Sequence, residues 1–229
     1  MEHPYLFFVK LFELIGLSHF AHAYPHVIYT WVVMIILIVL GSIAAKGISM
    51  IPGKGQNFFE ILVSGLEEFM VDTAGEESRW LFPIIATVFI YILTCNLLGL
   101  IPGFFPPTAS INTTLSCAIT VVVFTHVIGI KYHGVKYIKH FLGPVWWMSP
   151  LIFLIEVIGH LARILSLTFR LFGNMMGHEI VLSILFGLAG LFFAPLPIMA
   201  LGIFVALVQA FVFFLLSIIY FSGAMEHAH

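Results

Sequence analysis

Five long apolar stretches dominate the pattern along the chain, at approximately Val27–Ala45, Trp80–Ile101, Leu115–Ile130, Pro150–Gly190 and Leu196–Phe221. A bilayer core of about 30 Å takes about 20 mostly apolar helical residues to cross, so each stretch predicts a transmembrane helix. The third is slightly short and can extend back through Asn112-Thr113-Thr114. The fourth is too long to stand upright: at ~1.5 Å per residue, about forty residues span roughly 60 Å, twice the hydrocarbon thickness. It must tilt steeply or break. Ser149 followed by Pro150 is a good start for it, a capping hydroxyl with proline in the first turn. The expected fold is an all-α polytopic membrane protein with about five transmembrane helices. These include a long tilted helical hairpin at about 150–221, and interfacial helices accompany them.

Two weaker patterns complete the layout. Residues 1–26 read as an N-terminal interfacial segment and 27–229 as one membrane domain. Ala21-His22-Ala23 has the form of a signal-peptide cleavage site, but the apolar run before it is interrupted by Lys10 and Glu13. Between Gln56 and Glu77, Glu60, Ser64 and Glu67 share one helical face while Leu62, Leu66 and Phe69 share the opposite one. That pattern predicts a helix lying in the interface.

Composition sharpens this picture. The chain is 61% hydrophobic and 9% charged with a mean hydropathy of +1.12, against ~45–50% and ~25% in soluble domains. An ordinary soluble fold, a disordered chain and a nucleic-acid binder with a basic surface are excluded. Cys95 and Cys117 lie inside apolar runs and read as small buried hydrophobes. The net charge of −2 matters less than where the charges fall. Lys46, Lys54, Arg79, Lys131, Lys136 and Lys139 lie in the connections after the first and third crossings, whereas Pro102–Thr114 and Leu191–Pro195 hold no Lys or Arg. The positive-inside rule therefore predicts an outside N-terminus and a cytoplasmic C-terminus.

The fourth stretch holds the candidate chemistry. Advancing about 100° per residue from Glu156 puts His160 near +40°, Arg163 near −20°, Arg170 near −40°, Asn174 near 0° and His178 near +40°. Six polar groups thus share a stripe about 80° wide, while Glu179 falls near 140° on another face. Ionisable groups in a membrane helix cost roughly 2.5–3.5 kcal/mol each on insertion scales, so such a stripe should face water or protein. Arg163 can form an ion pair with Glu156 or take a functional part. His126 reads as a hydrogen-bonded helix residue. The nearest acid to Arg170 on its own face is Glu156, fourteen residues and about 21 Å away, so the Arg170 charge needs a partner on another helix or another protein.

Ser166-Leu167-Thr168-Phe169-Arg170-Leu171-Phe172-Gly173-Asn174-Met175, followed by Gly177 and Glu179, resembles the signature of the subunit a family of F-type ATP synthases. Ile51-Pro52-Gly53-Lys54, Asn96-Leu97-Leu98-Gly99-Leu100-Ile101-Pro102, Asn112-Thr113-Thr114-Leu115-Ser116 and Leu207-Val208-Gln209-Ala210-Phe211-Val212-Phe213 are similar to further family segments. The resemblance covers nearly the whole chain beyond the N-terminal segment. It implies a non-catalytic stator subunit for ATP synthesis and hydrogen ion transport, seated in the plasma (inner) membrane. Its implied partners are a ring of c subunits, the b subunits of the peripheral stalk, the F1 sector and the bilayer, with no nucleic acid. Arg170 matches the family's essential arginine, and Glu156 and Glu179 match acids in its two half-channels. Asn174 lies within the same signature, and Gln209 matches a glutamine facing the arginine. Relatives often carry glycine where this chain has His178, and an ionisable residue where it has Gly202.

Elementary chemistry supports these roles. A guanidinium stays charged, and a nearby positive charge lowers a carboxylate's pKa, so Arg170 can discharge a protonated ring carboxyl and repel a hydronium ion. Protons are expected to load near Glu179 and His178 and leave past Glu156, with His160 a possible relay. If Gln209 lies level with Arg170, antiparallel helices bring Gly202 and His178 to nearly equal depth, about 10 Å and 12 Å outward. A haem protein with His126 and His160 as axial ligands would leave Arg170, Glu156 and Glu179 unassigned. A secondary transporter would show paired broken helices or inverted repeats, and neither is evident. His178-Glu179 starts like a zincin motif, but position 182 is leucine, so no metal site is expected, and no cofactor.

Overall fold

The computed structural model describes residues 6–14, 16, 18–46, 53–101, 103–134, 137, 148–189 and 195–226. Ile51-Pro52, Pro102, Lys136, Lys139, the connection at 191–194 and the first five residues of the N-terminal segment lie outside the described residues. Among the described residues eight α-helices follow one another: α1 (Phe7–Leu14), α2 (Ser18–Ala23), α3 (Pro25–Lys46), α4 (Lys54–Ala74), α5 (Phe82–Leu98), α6 (Ile111–His133), α7 (Ser149–Ala189) and α8 (Pro195–Met225). Short 3-10 turns at Glu76–Leu81 and Pro107–Ala109 precede α5 and α6. Five of these segments are long and apolar enough to cross a membrane, and the chain is a multi-pass all-α membrane protein.

The boundaries moved for local reasons. α6 begins at Ile111, taking in the Asn-Thr-Thr run as the sequence allowed. The second crossing ends at Leu98, short of the expected Ile101. There the chain folds back so tightly that a Cβ on Gly99 would lie 2.5 Å from the Pro106 Cβ. The same turn is fastened inside by the Thr108 hydroxyl, which donates to Asn96 Oδ1 at 2.7 Å. The Asn96-to-Pro102 signature thus has a structural reason: a helix end, a bare Cα and a buried amide build one reverse turn. Along the spans, hydroxyls are satisfied by the carbonyl one turn back, as in Thr87 to Pro83 O (2.6 Å), Thr168 to Ile164 O (2.7 Å) and Ser217 to Phe213 O (2.8 Å). Hydrocarbon offers no other acceptor.

α5, α6, α7 and α8 share one core, joined by the inner face of α4 through Met70. Ala206 and Ala210 of α8 and Ala86 of α5 are buried, the kind of small side chain that lets membrane helices approach closely. α3 is apolar all round, and mainly its first half packs, through Ile28, Tyr29 and Val33. The N-terminal helices complete that second cluster: Phe8 meets Tyr29 and Phe104 edge to face, and the Phe7 N–H donates to Gly103 O at 3.2 Å. At the opposite end, Arg79 pairs with Glu67 (3.0 Å), Lys131 lies 3.5 Å over the Trp80 ring, and His133 Nε2 sits 3.2 Å from Ala224 O. This basic end gathers the start of α5 and the ends of α6 and α8.

α7 runs unbroken for 41 residues. Of the two options open to the fourth stretch, the helix takes the continuous one, and at ~1.5 Å per residue it stays near hydrocarbon only by lying obliquely.

Candidate functional site

One face of α7 is buried through Leu167, Thr168, Leu171, Met175 and Leu182, the repeat a helix packed along one side requires. The polar stripe runs along the edge of that face, and its members meet different surroundings. Arg170 stands at the helix midpoint, exposed, and its guanidinium reaches only Ser166 Oγ at 3.5 Å. Among the described residues no carboxylate pairs with it. Its neighbours on the same flank of α7, Arg163, Ser166, Gly173, Asn174 and Gly177, are exposed with it, while the exposed apolar side chains Leu161, Leu165 and Phe169 point away on other faces of the helix.

Toward the basic end lies a second group. His160 Nε2 is 3.2 Å from Glu156 Oε1. The His126 ring, from α6, meets the His160 ring at 4.5 Å between centroids, and His126 Nδ1 lies 2.9 Å from the Tyr137 hydroxyl. Arg163 does not take the ion pair with Glu156 that the sequence allowed. Its guanidinium lies over the Tyr220 ring of α8, 5.1 Å from the centroid, where a delocalised cation is attracted by the π-face.

Toward the other end, Asn174 Nδ2 donates to Gln209 Oε1 at 2.8 Å, and Gln209 is buried. Facing Arg170 was the expectation for Gln209; its amide oxygen is instead taken by Asn174, one helical turn further along. Four residues beyond Asn174, the His178 imidazole fills the space left by Gly202 of α8, so a Cβ there would overlap Nε2 and Cε1 of the ring. Glu179, on its separate face, opens into a cleft of about 730 Å³ between α7, the Gly99–Phe104 turn and the N-terminal helix α1, whose Lys10 also lines it. The site thus has two polar clusters, one on each side of an exposed cation.

The chain matches the family model described as ATP synthase A chain over residues 27–222. It belongs to the ATP synthase A chain family. The match reaches every transmembrane helix and leaves α1 and α2 outside. Curated relatives named ATP synthase subunit a include those of Desulfosudis oleivorans, 73% identical, Syntrophobacter fumaroxidans, 59%, and Citrifermentans bemidjiense, 54%, each match covering 100% of both chains.

Family membership agrees with the geometry in setting aside the haem reading. With the rings of His126 and His160 in direct contact, no porphyrin plane fits between them. Among the described residues no group of three His, Cys, Asp or Glu side chains is disposed to hold a metal ion. The sequence paired His126 with His160 only as ligands of a haem; their direct contact, and the part of Tyr137 in it, went unseen. A signal was present in Gly129 and Gly134, two glycines flanking the basic end of α6.

Proposed function

We propose that this chain is the stator subunit of the rotary proton channel in the membrane F0 sector of ATP synthase. It does no bond-making chemistry of its own and works against a ring of c subunits. The observation that carries this reading is Arg170: a permanent cation, exposed at the middle of a long apolar membrane helix and paired with no acid of the described residues. Such a charge is tolerable only if another protein supplies the anion. A ring carboxyl arriving protonated loses its proton beside the guanidinium, because the cation favours the carboxylate. The same charge repels a hydronium ion on a straight path between the clusters, so proton passage requires the ring to turn.

The two clusters then serve as half-channels. The basic connections favour the cytoplasm for the end bearing Lys131 and Arg79, so Glu156 and His160 belong to the inner half-channel. Glu179, with the cleft before it, and His178 belong to the outer one. Asn174 and Gln209 hold α7 to α8 between Arg170 and the outer cluster, with the amide pair fixing the register where the ring passes. His178 occupies on α7 the place that relatives fill from α8, which Gly202 leaves open. The b subunits of the peripheral stalk and the F1 sector complete the assembly in the inner membrane.

The test is association. A tagged chain with Phe169→Cys, on the exposed face beside Arg170, should copurify with a ring of small hairpin subunits and cross-link to them through that cysteine. A chain that purifies alone or cross-links only to itself would refute the assignment.

A further inference from the structure

α6 ends at His133, and Gly134, with a φ of +55°, caps it, its N–H donating to Ile130 O. The Tyr137 N–H then donates to Gly134 O at 3.2 Å, and the Tyr137 ring lies across the bare Cα of Gly129 so closely that any Cβ would overlap it. Two glycines are therefore what allow Tyr137 to lie back against α6, since a side chain at 129 would push the ring off and a side chain at 134 would be strained at that φ. The outcome is the 2.9 Å contact of the Tyr137 hydroxyl with His126 Nδ1. From there the file continues by ring contact and ion pair: His126 against His160 at 4.5 Å between centroids and tilted by 58°, then His160 Nε2 to Glu156 Oε1 at 3.2 Å. Three separate segments contribute, and the file runs from the first third of α7 to a residue beyond the end of α6. Stacked on Tyr220, Arg163 leaves the Glu156 carboxylate to the imidazole.

We propose that Glu156, His160, His126 and Tyr137 form one proton wire through the inner half-channel, with Tyr137 as its aqueous end. The proposal rests on the proton-channel reading above and adds two residues, His126 and Tyr137, to it. A proton leaving the Glu156 carboxyl is accepted at one nitrogen of His160, which releases the proton on its other nitrogen. That proton crosses to His126 by a direct or one-water hop, and His126 repeats the exchange. Nδ1 of His126 passes a proton to the Tyr137 oxygen while the phenolic proton leaves to water. One proton enters and one departs at each ring, and the rings reset by rotation or tautomer reversal. Burial pushes the Tyr137 hydroxyl above its usual range, with Glu156 acting in the same direction, so the phenol hands protons on as a neutral donor and acceptor.

The experiment uses the whole ATP synthase in liposomes and reads proton-driven ATP synthesis. His126→Ala should lower the rate by about ten- to a hundred-fold, at or below the low end of what a placed acid–base group supplies because water fills part of the gap. Imidazole added on the side of the F1 head should restore a substantial part of it, which a purely structural role would not allow. Tyr137→Phe, which keeps the ring on Gly129 and removes only the hydroxyl, should give a smaller loss. If His126→Ala fails to assemble, His126→Gln carries the same test. Normal synthesis in these variants, or a loss in fully assembled complexes that imidazole leaves untouched, overturns the wire. Arg170→Ala is measured beside them: normal synthesis there sinks the proton-channel reading itself, whereas a block there with normal relay variants sinks only the wire.

Discussion

Replacing Gly202 by alanine adds one methyl group to α8 at the point where the His178 ring already sits. The added carbon would overlap Nε2 and Cε1 of the imidazole and lie 2.5 Å from Leu100 Cδ2. Either the ring rotates out of its place or the two helices part, and overpacking of this kind costs about 1–3 kcal/mol. His178 Nε2 is buried and has no hydrogen-bond partner among the described residues, so no hydrogen bond at that atom resists the displacement. If that ring carries protons to Glu179, displacing it by about 1–3 kcal/mol slows transfer by about 5- to 150-fold. The assay is ATP synthesis by the reconstituted complex under an imposed proton gradient, with subunit content checked in each preparation. His178→Gly should cripple the rate, and His178→Gly with Gly202→Ala should not recover it, because space is restored without an imidazole. His178→Gly with Gly202→His should recover a substantial part, since the imidazole returns from the opposite helix to the same place. Normal pumping by His178→Gly alone would refute the reasoning, leaving His178 as a space-filling side chain.

Other outcomes follow from the same geometry. Glu179→Gln and Glu156→Gln should each slow proton flux, and cysteines placed at 179 and 156 should react with a membrane-impermeant thiol reagent from opposite sides; reaction of both from one side would contradict the half-channels. Gly99→Ala, forced against Pro106, should lower the yield and thermal stability of the assembled complex, on the scale of about 1–3 kcal/mol for overpacking. An unchanged melting temperature would mean that the turn relaxes.

Much of this molecule was legible because hydrocarbon leaves the chain few choices. The five spans followed from apolar length alone, and the stripe on α7 could be counted by angle because that helix is continuous. The same counting put Gly202 near the depth of His178, and the two do meet. Counting failed where side chains lean along a helix. Gln209 was taken as level with Arg170, yet its amide oxygen bonds Asn174, because reach and direction as well as Cα level choose the partner. Arg163 was weighed between an ion pair with the acid on its own helix and a functional part, and the Tyr220 ring that it meets came from another helix. The His126–His160 contact joins α6 and α7 across a connection whose path no periodicity encodes. The helix end at Leu98 depends on Pro106, eight residues further on, a tertiary contact invisible to local pattern.

The central claim is that Arg170, permanently charged, makes a partner's carboxyl give up its proton and forbids any other path. Arg170→Ala measures it most directly, in vesicles where both proton-driven ATP synthesis and subunit content are followed. The account predicts a fully assembled complex with coupled synthesis abolished, and poor replacement by Arg170→Lys, whose ammonium loses its proton more readily when desolvated. Near-normal synthesis by assembled Arg170→Ala complexes would contradict it.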